Sequence, residues 1–458
     1  MASSRRQGIE WRALVWFARH PGALIGPGTV AGCVVALGQT VTAAVAAGLV
    51  VGVVGWYRGH PASFDRWAAP WLRAWRRRWF SRYAGRGWQA VTAACDLATV
   101  QRGTDHLLYP RIVRMFSPSP SVDVLRVRMR MGQSARMWEQ KTIELADSLR
   151  AERVAVERVR PGLLGLIVQR DEPFTEPVEP LPMPHEAAGV RVGKVWFGID
   201  EYGHDWHEPI AGQHFLTAGA TGAGKATLMH GPAYQLAPLI KAGLVRFWDI
   251  DPKQMELSPT QAISYRYAAE PEAMLEVLEE YMDDEADSQR RLAAAGLRKA
   301  PISLEYPLNI LRVDELGAVL AYGDHGRIWR KSLAIAGTQG RASGHLVWGF
   351  VQEPSKDVVP IRDMFTRRIC LRVTAAAHVD MTLGEDARAR GALADEIPND
   401  ITTAGIGFVI RPRTRLPLRV RAGHYTDTHL RQLVGFVTGT PADQVRLGAA
   451  AEPREITD

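Results

Sequence analysis

Two short segments carry residue types and spacings suited to phosphate chemistry. The first runs Gly219, Ala220, Thr221, Gly222, Ala223, Gly224, Lys225, a GxxxxGK loop. Its glycines let backbone N–H groups wrap phosphate oxygens, and the lysine ammonium reaches the β- and γ-phosphates. The second is the pair Asp314 and Glu315, directly after the apolar run Leu308 to Val313. An aspartate at such a strand end holds Mg2+ through water, and the adjacent glutamate polarises the attacking water. Lys225, Asp314 and Glu315 are therefore read as the catalytic core of a site for ATP and Mg2+.

One position departs from the pattern. The residue after the lysine normally supplies a Ser or Thr hydroxyl to Mg2+, but here it is Ala226. Thr227 follows, rotated by about 100° on a helix. Thr227 and Asp314 are the candidate metal ligands, and residues 219–227 the candidate nucleotide cradle.

These side chains need a strand, a tight loop and a helix to position them. His214 to Ala218 reads as the strand and Ala226 to Leu239 as the helix. Upstream, Leu125, Val127, Met129 and Met131 alternate with Arg126, Arg128 and Arg130, the period of a half-exposed strand. Trp138, Thr142, Leu145 and Leu149 recur at helical spacing. Val154 to Val159 and Leu163 to Gln169 read as strands joined by a turn at Arg160, Pro161 and Gly162. Glu172 to Pro184, rich in proline, reads as a linker leaving this small module.

Pro21 to Tyr57 contains no charged side chain, longer than a core helix needs and long enough for membrane insertion. Gly38, Gln39 and Thr40 divide it. Two short spans in a hairpin, or one span with a re-entrant partner, both fit; arginines flank both ends, which favours the hairpin with both ends in the cytoplasm. Trp67, Trp71, Trp75 and Trp79 follow at every fourth position among Arg73, Arg76, Arg77, Arg78 and Arg82. Such a helix suits the headgroup layer of an anionic membrane; packing of the indoles on a soluble domain is the alternative. The net charge of +7 points to an anionic partner. Three widely spaced cysteines exclude a disulfide framework and fit a reducing cytoplasm.

Beyond the two phosphate-site segments, further stretches resemble the FtsK/SpoIIIE family of DNA-pumping motors. FWDIDPKQMEL at 247–257 resembles the family's "DPK…EL", and GRASGHL at 340–346 its "GRAAGIHL". VQEPS at 351–355 resembles "TQRPS"; RICLRV at 368–373, followed by Asp380, resembles "RIAFRV…D". Gly405 to Phe408 and Arg419 to Arg421 resemble the closing strands. The arrangement is most similar to actinobacterial plasmid-transfer proteins of the TraB/TraSA type.

The resemblance implies an α/β fold: a RecA-like P-loop ATPase core with a small α+β domain and an N-terminal membrane segment. It implies ATP and Mg2+ as cofactors. The partners it implies are double-stranded DNA, the cytoplasmic membrane and copies of the chain in a homo-hexamer. Gln352 matches the sensor glutamine, and an arginine finger is expected in trans, with Arg368 and Arg341 as candidates. The expected organisation is a tail at 1–20, a membrane segment at 21–57, a juxtamembrane helix at 58–86, the small domain and linker at 87–185, the motor at 186–430 and a tail at 431–458. That last stretch is too short for the winged helix many family members carry, so sequence-indifferent DNA binding is expected. Two other readings stay open: a protein-pumping motor of the type VII secretion kind, and a nucleotide-binding membrane scaffold with weak hydrolysis, suggested by Ala226.

Overall fold

The computed structural model describes residues 34–36, 38–101, 106–321 and 323–447. The chain divides into two compact units, Met1–Arg73 and Ala74–Asp458. In the first, helix α1 (Gln39–Gly59) is the one helix among the described residues long and apolar enough to cross a membrane, with mean hydropathy 1.7 and none of it buried. Gly38, at φ 82°, precedes it, so the glycine does interrupt the apolar run. Apart from residues 34–36, the first half of the expected hairpin lies outside the described residues. Helix α2 (Ala69–Phe80) carries three of the four spaced tryptophans and leads to helix α3 (Gly85–Ala94).

The second unit begins with a four-stranded antiparallel sheet. Its strands are β1 (Arg111–Phe116), β2 (Val122–Arg128), β3 (Arg153–Arg160) and β4 (Leu163–Gln169), ordered β1-β2-β4-β3. On β2 the alternation is visible directly: Leu125 and Val127 are fully buried while Arg126 turns outward to Glu157 at 2.7 Å. Helix α4 (Thr142–Leu149) and the short helix Ala135–Glu139 cover one face. The expected single helix from Trp138 is thus two, separated at Gln140 and Lys141. Ala74 and Tyr83 join this module's core, so its packing starts earlier than residue 87.

The larger sheet has ten strands: β5 (Val195–Asp200), β6 (Asp205–Glu208), β7 (Phe215–Ala218), β8 (Val245–Ile250), β9 (Arg266–Ala268), β10 (Leu308–Val313), β11 (His345–Val351), β12 (Arg367–Leu371), β13 (Ile406–Ile410) and β14 (Pro417–Ala422). Their order is β9-β8-β10-β11-β7-β12-β13-β14-β5-β6. The first six are mutually parallel, and the remaining pairings are antiparallel. Parallel strands are covered on both faces and therefore read as near-continuous apolar runs. Every residue of β10 and of β11 is buried. Helix α5 (Lys225–Gln235) helps seal one face, and α6 (Pro271–Ala294) with α7 (Gly323–Ser343) seals the other. Helix α8 (Asp427–Thr438) packs beside α5.

The proline-rich stretch after β4 lies against the ten-stranded domain. Phe174 is buried in its core, Val178 bridges to Gly423, and Glu172 pairs with Arg419 at 2.6 Å. Arg153 on β3 pairs with the buried Glu201 and donates to Gly391 O at 2.8 Å. The small module and the ten-stranded domain are joined through this buried charge.

Candidate nucleotide site

In open sheets of this kind, ligands bind beyond the carboxyl ends of the parallel strands. The glycine-rich loop leaves the carboxyl end of β7, between β11 and β12, and runs into α5. Its first two peptides are fixed by those neighbours: Gly219 N donates to Val351 O at 3.0 Å and Ala220 N to Arg372 O at 2.8 Å. Gly224 sits at φ 89°, and a Cβ there would lie 2.4 Å from Gly405 N. Only glycine fits that corner. Lys225, the first residue of α5, donates Nζ to Gly219 O at 2.8 Å. Burial pulls its ammonium pKa below the usual lysine range, opposed by Glu315 and Asp314.

Asp314 and Glu315 follow β10 and stand where the sequence placed them. Asp314 N donates to Ile250 O at 2.9 Å, continuing the β8–β10 register so that Asp314 lies level with Asp251, the residue just past β8. The Asp314 side chain is nearly buried, and its carboxyl is pushed up to about 7. Burial is the largest cause, followed by the charges of Asp251, Glu256 and Glu315. Glu315 adopts φ 51°, a left-handed conformation that a non-glycine residue holds only when its surroundings fix it. Lys253 Nζ grips its Oε2 at 3.0 Å, and Gln352 N donates to Oε1 at 3.4 Å. Gln352 also meets Thr221 Oγ1 at 3.5 Å. The structure thus brings Lys225, Asp314, Glu315 and Gln352 to one cleft.

Whether these residues suit a divalent cation is tested by the carboxylates themselves. Asp251 is fully buried; its Oδ2 accepts from Leu257 N and Ser258 N at 3.0 Å each, while Oδ1 has no partner. With Asp314 and Glu256 it makes a negative cluster that a cation relieves. Among the described residues no group of three His, Cys, Asp or Glu could hold an ion unaided. Mg2+ needs only one or two carboxylates, the rest of its shell coming from water and phosphate oxygens. Thr227 Oγ1 donates to Gly224 O at 2.6 Å, so its hydroxyl proton serves the loop, with lone pairs left on the oxygen.

The two candidate finger arginines lie elsewhere. Arg368 pairs in register with Leu216 and binds Asp363 at 3.2 Å, and Arg341 donates to Gly212 O at 2.7 Å. Both sit toward the amino ends of the strands, away from the loop of their own chain. Arg372 was not singled out in the sequence, yet its guanidinium donates to Thr221 O at 2.6 Å. Arg312 was missed too. Fully buried, it forks onto Asp249 at 2.7 and 2.6 Å and donates to Met229 O at 2.9 Å, tying β10 and β8 to α5. Arg372 lies inside the quoted RICLRV stretch; Arg312 left only the oddity of a charge within an apolar run.

The FtsK/SpoIIIE family profile matches residues 178–406, half of the chain. The chain belongs to the FtsK/SpoIIIE family. Its fold is a RecA-like P-loop ATPase core with a small α+β domain and an apolar N-terminal helix. Among curated proteins it is similar to the DNA translocase FtsK of Streptococcus agalactiae serotype V, at 23% identity over 343 residues, 69% of this chain and 40% of the relative. It is also similar to the DNA translocase FtsK of Streptococcus pyogenes serotype M1, at 23% identity over 363 residues, 74% of this chain and 43% of the relative. The chain therefore spans less than half the length of these relatives. Among solved structures, the pCW3 conjugation coupling protein TcpA, a monomer form with ATPγS, aligns with a TM-score of 0.49 at 16% identity, covering 71% of this chain and 93% of that one. The cytoplasmic domain of the Thermomonospora curvata type VII secretion ATPase EccC aligns with a TM-score of 0.44 at 18% identity, covering 58% of this chain and 33% of that one.

Proposed function

We propose that this family member is a membrane-anchored, ATP-driven translocase of double-stranded DNA serving conjugative plasmid transfer, of the TraB/TraSA type. The observation that carries the motor reading is the convergence of Lys225, Asp314, Glu315 and Gln352 at the carboxyl edge of the parallel sheet. In this reading Lys225 and the loop amides bind the triphosphate, Asp314 holds Mg2+, and Glu315 orients water. Bound Mg2+ would neutralise charge developing on the transferred phosphoryl group. Gln352, beside both Thr221 and Glu315, senses the γ-phosphate. Subunits assemble as a homo-hexamer around DNA, with Arg368 or Arg341 reaching the neighbour's nucleotide.

An apolar N-terminal segment followed by a phosphate loop supports the conjugative assignment, because the plasmid-transfer proteins share that pairing. The basic net charge of +7 supports a phosphate-rich polymer as cargo. Ala226 favours a second reading, a membrane scaffold that binds ATP and hydrolyses it poorly.

Turnover of ATP by the full chain in detergent, with and without duplex DNA, separates the two. The motor reading expects stimulation by DNA that Lys225→Ala and Glu315→Gln both abolish. Tight ATP binding with no turnover on DNA would leave the scaffold standing.

A further inference from the structure

Helix α2 has two faces with opposite fates. Ala74 and Arg77, nearly one turn apart, point into the α+β module: Ala74 is 6% exposed within its core, and Arg77 donates to Ser117 Oγ at 3.1 Å and pairs with the fully buried Asp123. Trp75 and Trp79 lie on the other side, 64% and 53% exposed. Their four-residue spacing continues back to Trp71 and Trp67, which are 59% and 65% exposed. At about 100° per residue, Arg76 and Arg78 emerge to either side of the Trp75–Trp79 stripe, and both are exposed. Trp75 and Trp79 therefore face away from the α+β module, and the arginine at 77 faces it instead.

Rows of solvent-facing tryptophan are unfavourable in water and need a cover. We infer that the Trp75–Trp79 face of α2 docks on the headgroup layer of an anionic bilayer, with Arg76 and Arg78 contacting lipid phosphates. Two observations choose lipid over a second copy of the chain. First, only nine residues separate the end of α1 from the start of α2, Pro61–Trp67 among them helical. At about 1.5 Å per helical residue or 3.5 Å extended, that covalent reach keeps α2 within roughly 15 to 30 Å of the point where α1 leaves the membrane. Second, indole beside arginine is the composition that the interface of an anionic leaflet selects, rings at the carbonyl level and guanidinium on phosphate. A self-association face gains nothing from two flanking cations that repel their symmetry mates.

The inference rests on α1 anchoring the chain, and its test reads that separately. The full chain is reconstituted in nanodiscs of phosphatidylcholine alone or with phosphatidylglycerol, and also held in neutral micelles. Insertion is read as flotation with vesicles of the same lipids after alkaline carbonate washing. Amide hydrogen exchange is followed across 69–80. Phosphatidylglycerol should slow exchange there by about fivefold or more over the other two conditions. Trp75→Ala with Trp79→Ala should remove the protection, and Arg76→Gln with Arg78→Gln should remove its dependence on phosphatidylglycerol. Flotation with identical exchange in all three environments overturns the lipid-facing helix and leaves the anchor intact. Protection that grows with the number of chains per disc, indifferent to lipid charge, overturns it in favour of a second copy. Loss of flotation overturns the anchor and this inference together.

Discussion

The guanidinium of Arg372, at the end of β12, donates a hydrogen bond to the carbonyl of Thr221 at 2.6 Å, while the backbone carbonyl of Arg372 receives the N–H of Ala220 at 2.8 Å. One residue thus fixes two successive residues of the phosphate loop and sets a guanidinium against that loop. Arg372 is 7% exposed, so this charge is little screened by water. Charge-assisted bonds of this kind contribute about 1.5–3 kcal/mol. Arg372→Gln is expected to weaken ATP binding by roughly tenfold or more, measured by titration with a fluorescent ATP analogue. Arg372→Lys should recover part of the loss. Unchanged affinity in both variants would reduce Arg372 to a packing residue.

Arg312 offers a stability test remote from the phosphates. Its fork onto Asp249 is completely buried, and the guanidinium also lies 3.9 Å from the Phe247 ring centroid. Removing one partner of such a pair strands the other charge and costs about 3–5 kcal/mol. Arg312→Met should lower the denaturant midpoint accordingly. Adding Asp249→Leu should restore part of the stability, because no buried charge is then left alone.

The contrast between these arginines and the phosphate loop shows what the sequence could carry. Strand, loop and helix are contiguous, so Gly219 to Lys225 announced their own geometry, and Leu308–Val313 matches its strand to the residue. Asp314 and Glu315 were legible for the same reason. Arg372, Arg312 and Asp251 act through neighbours fixed by sheet register, β12 against β7 and β10 against β8, which no local pattern encodes. The stretch Glu172 to Pro184 misled in the same way. Its prolines read as a spacer, while the burial of Phe174 comes from a surface supplied by residues far along the chain.

Glu285, on α6, is 1% exposed with Oε2 lacking a partner, and burial raises its carboxyl from 4.5 to about 7. The folded state therefore favours the protonated form. Its stabilising contribution is fully present below pH 4.5, declines as the unfolded chain ionises, and is gone once pH exceeds about 7. At 1.36 kcal/mol per unit this amounts to on the order of 3 kcal/mol. Glu285→Gln should match the parent near pH 4.5 and exceed it increasingly toward pH 8 in thermal melts. A pH-independent difference would contradict the assignment.

Ala226 stands where this motif usually offers Mg2+ a hydroxyl. Ala226→Thr should lower the Mg2+ concentration for half-maximal ATP turnover several-fold, with ATP binding in chelator unchanged. An unaltered Mg2+ dependence would show that the cluster around Asp314 already satisfies the ion.

Displacement of a triplex-forming oligonucleotide from linear duplex DNA tests the central claim most directly, because it registers movement along DNA and ignores binding or idle turnover. The full chain in detergent should strip the third strand when ATP and Mg2+ are present. Lys225→Ala and Glu315→Gln should leave it in place. ATP hydrolysis proceeding on that same DNA while the third strand stays bound would contradict a translocase.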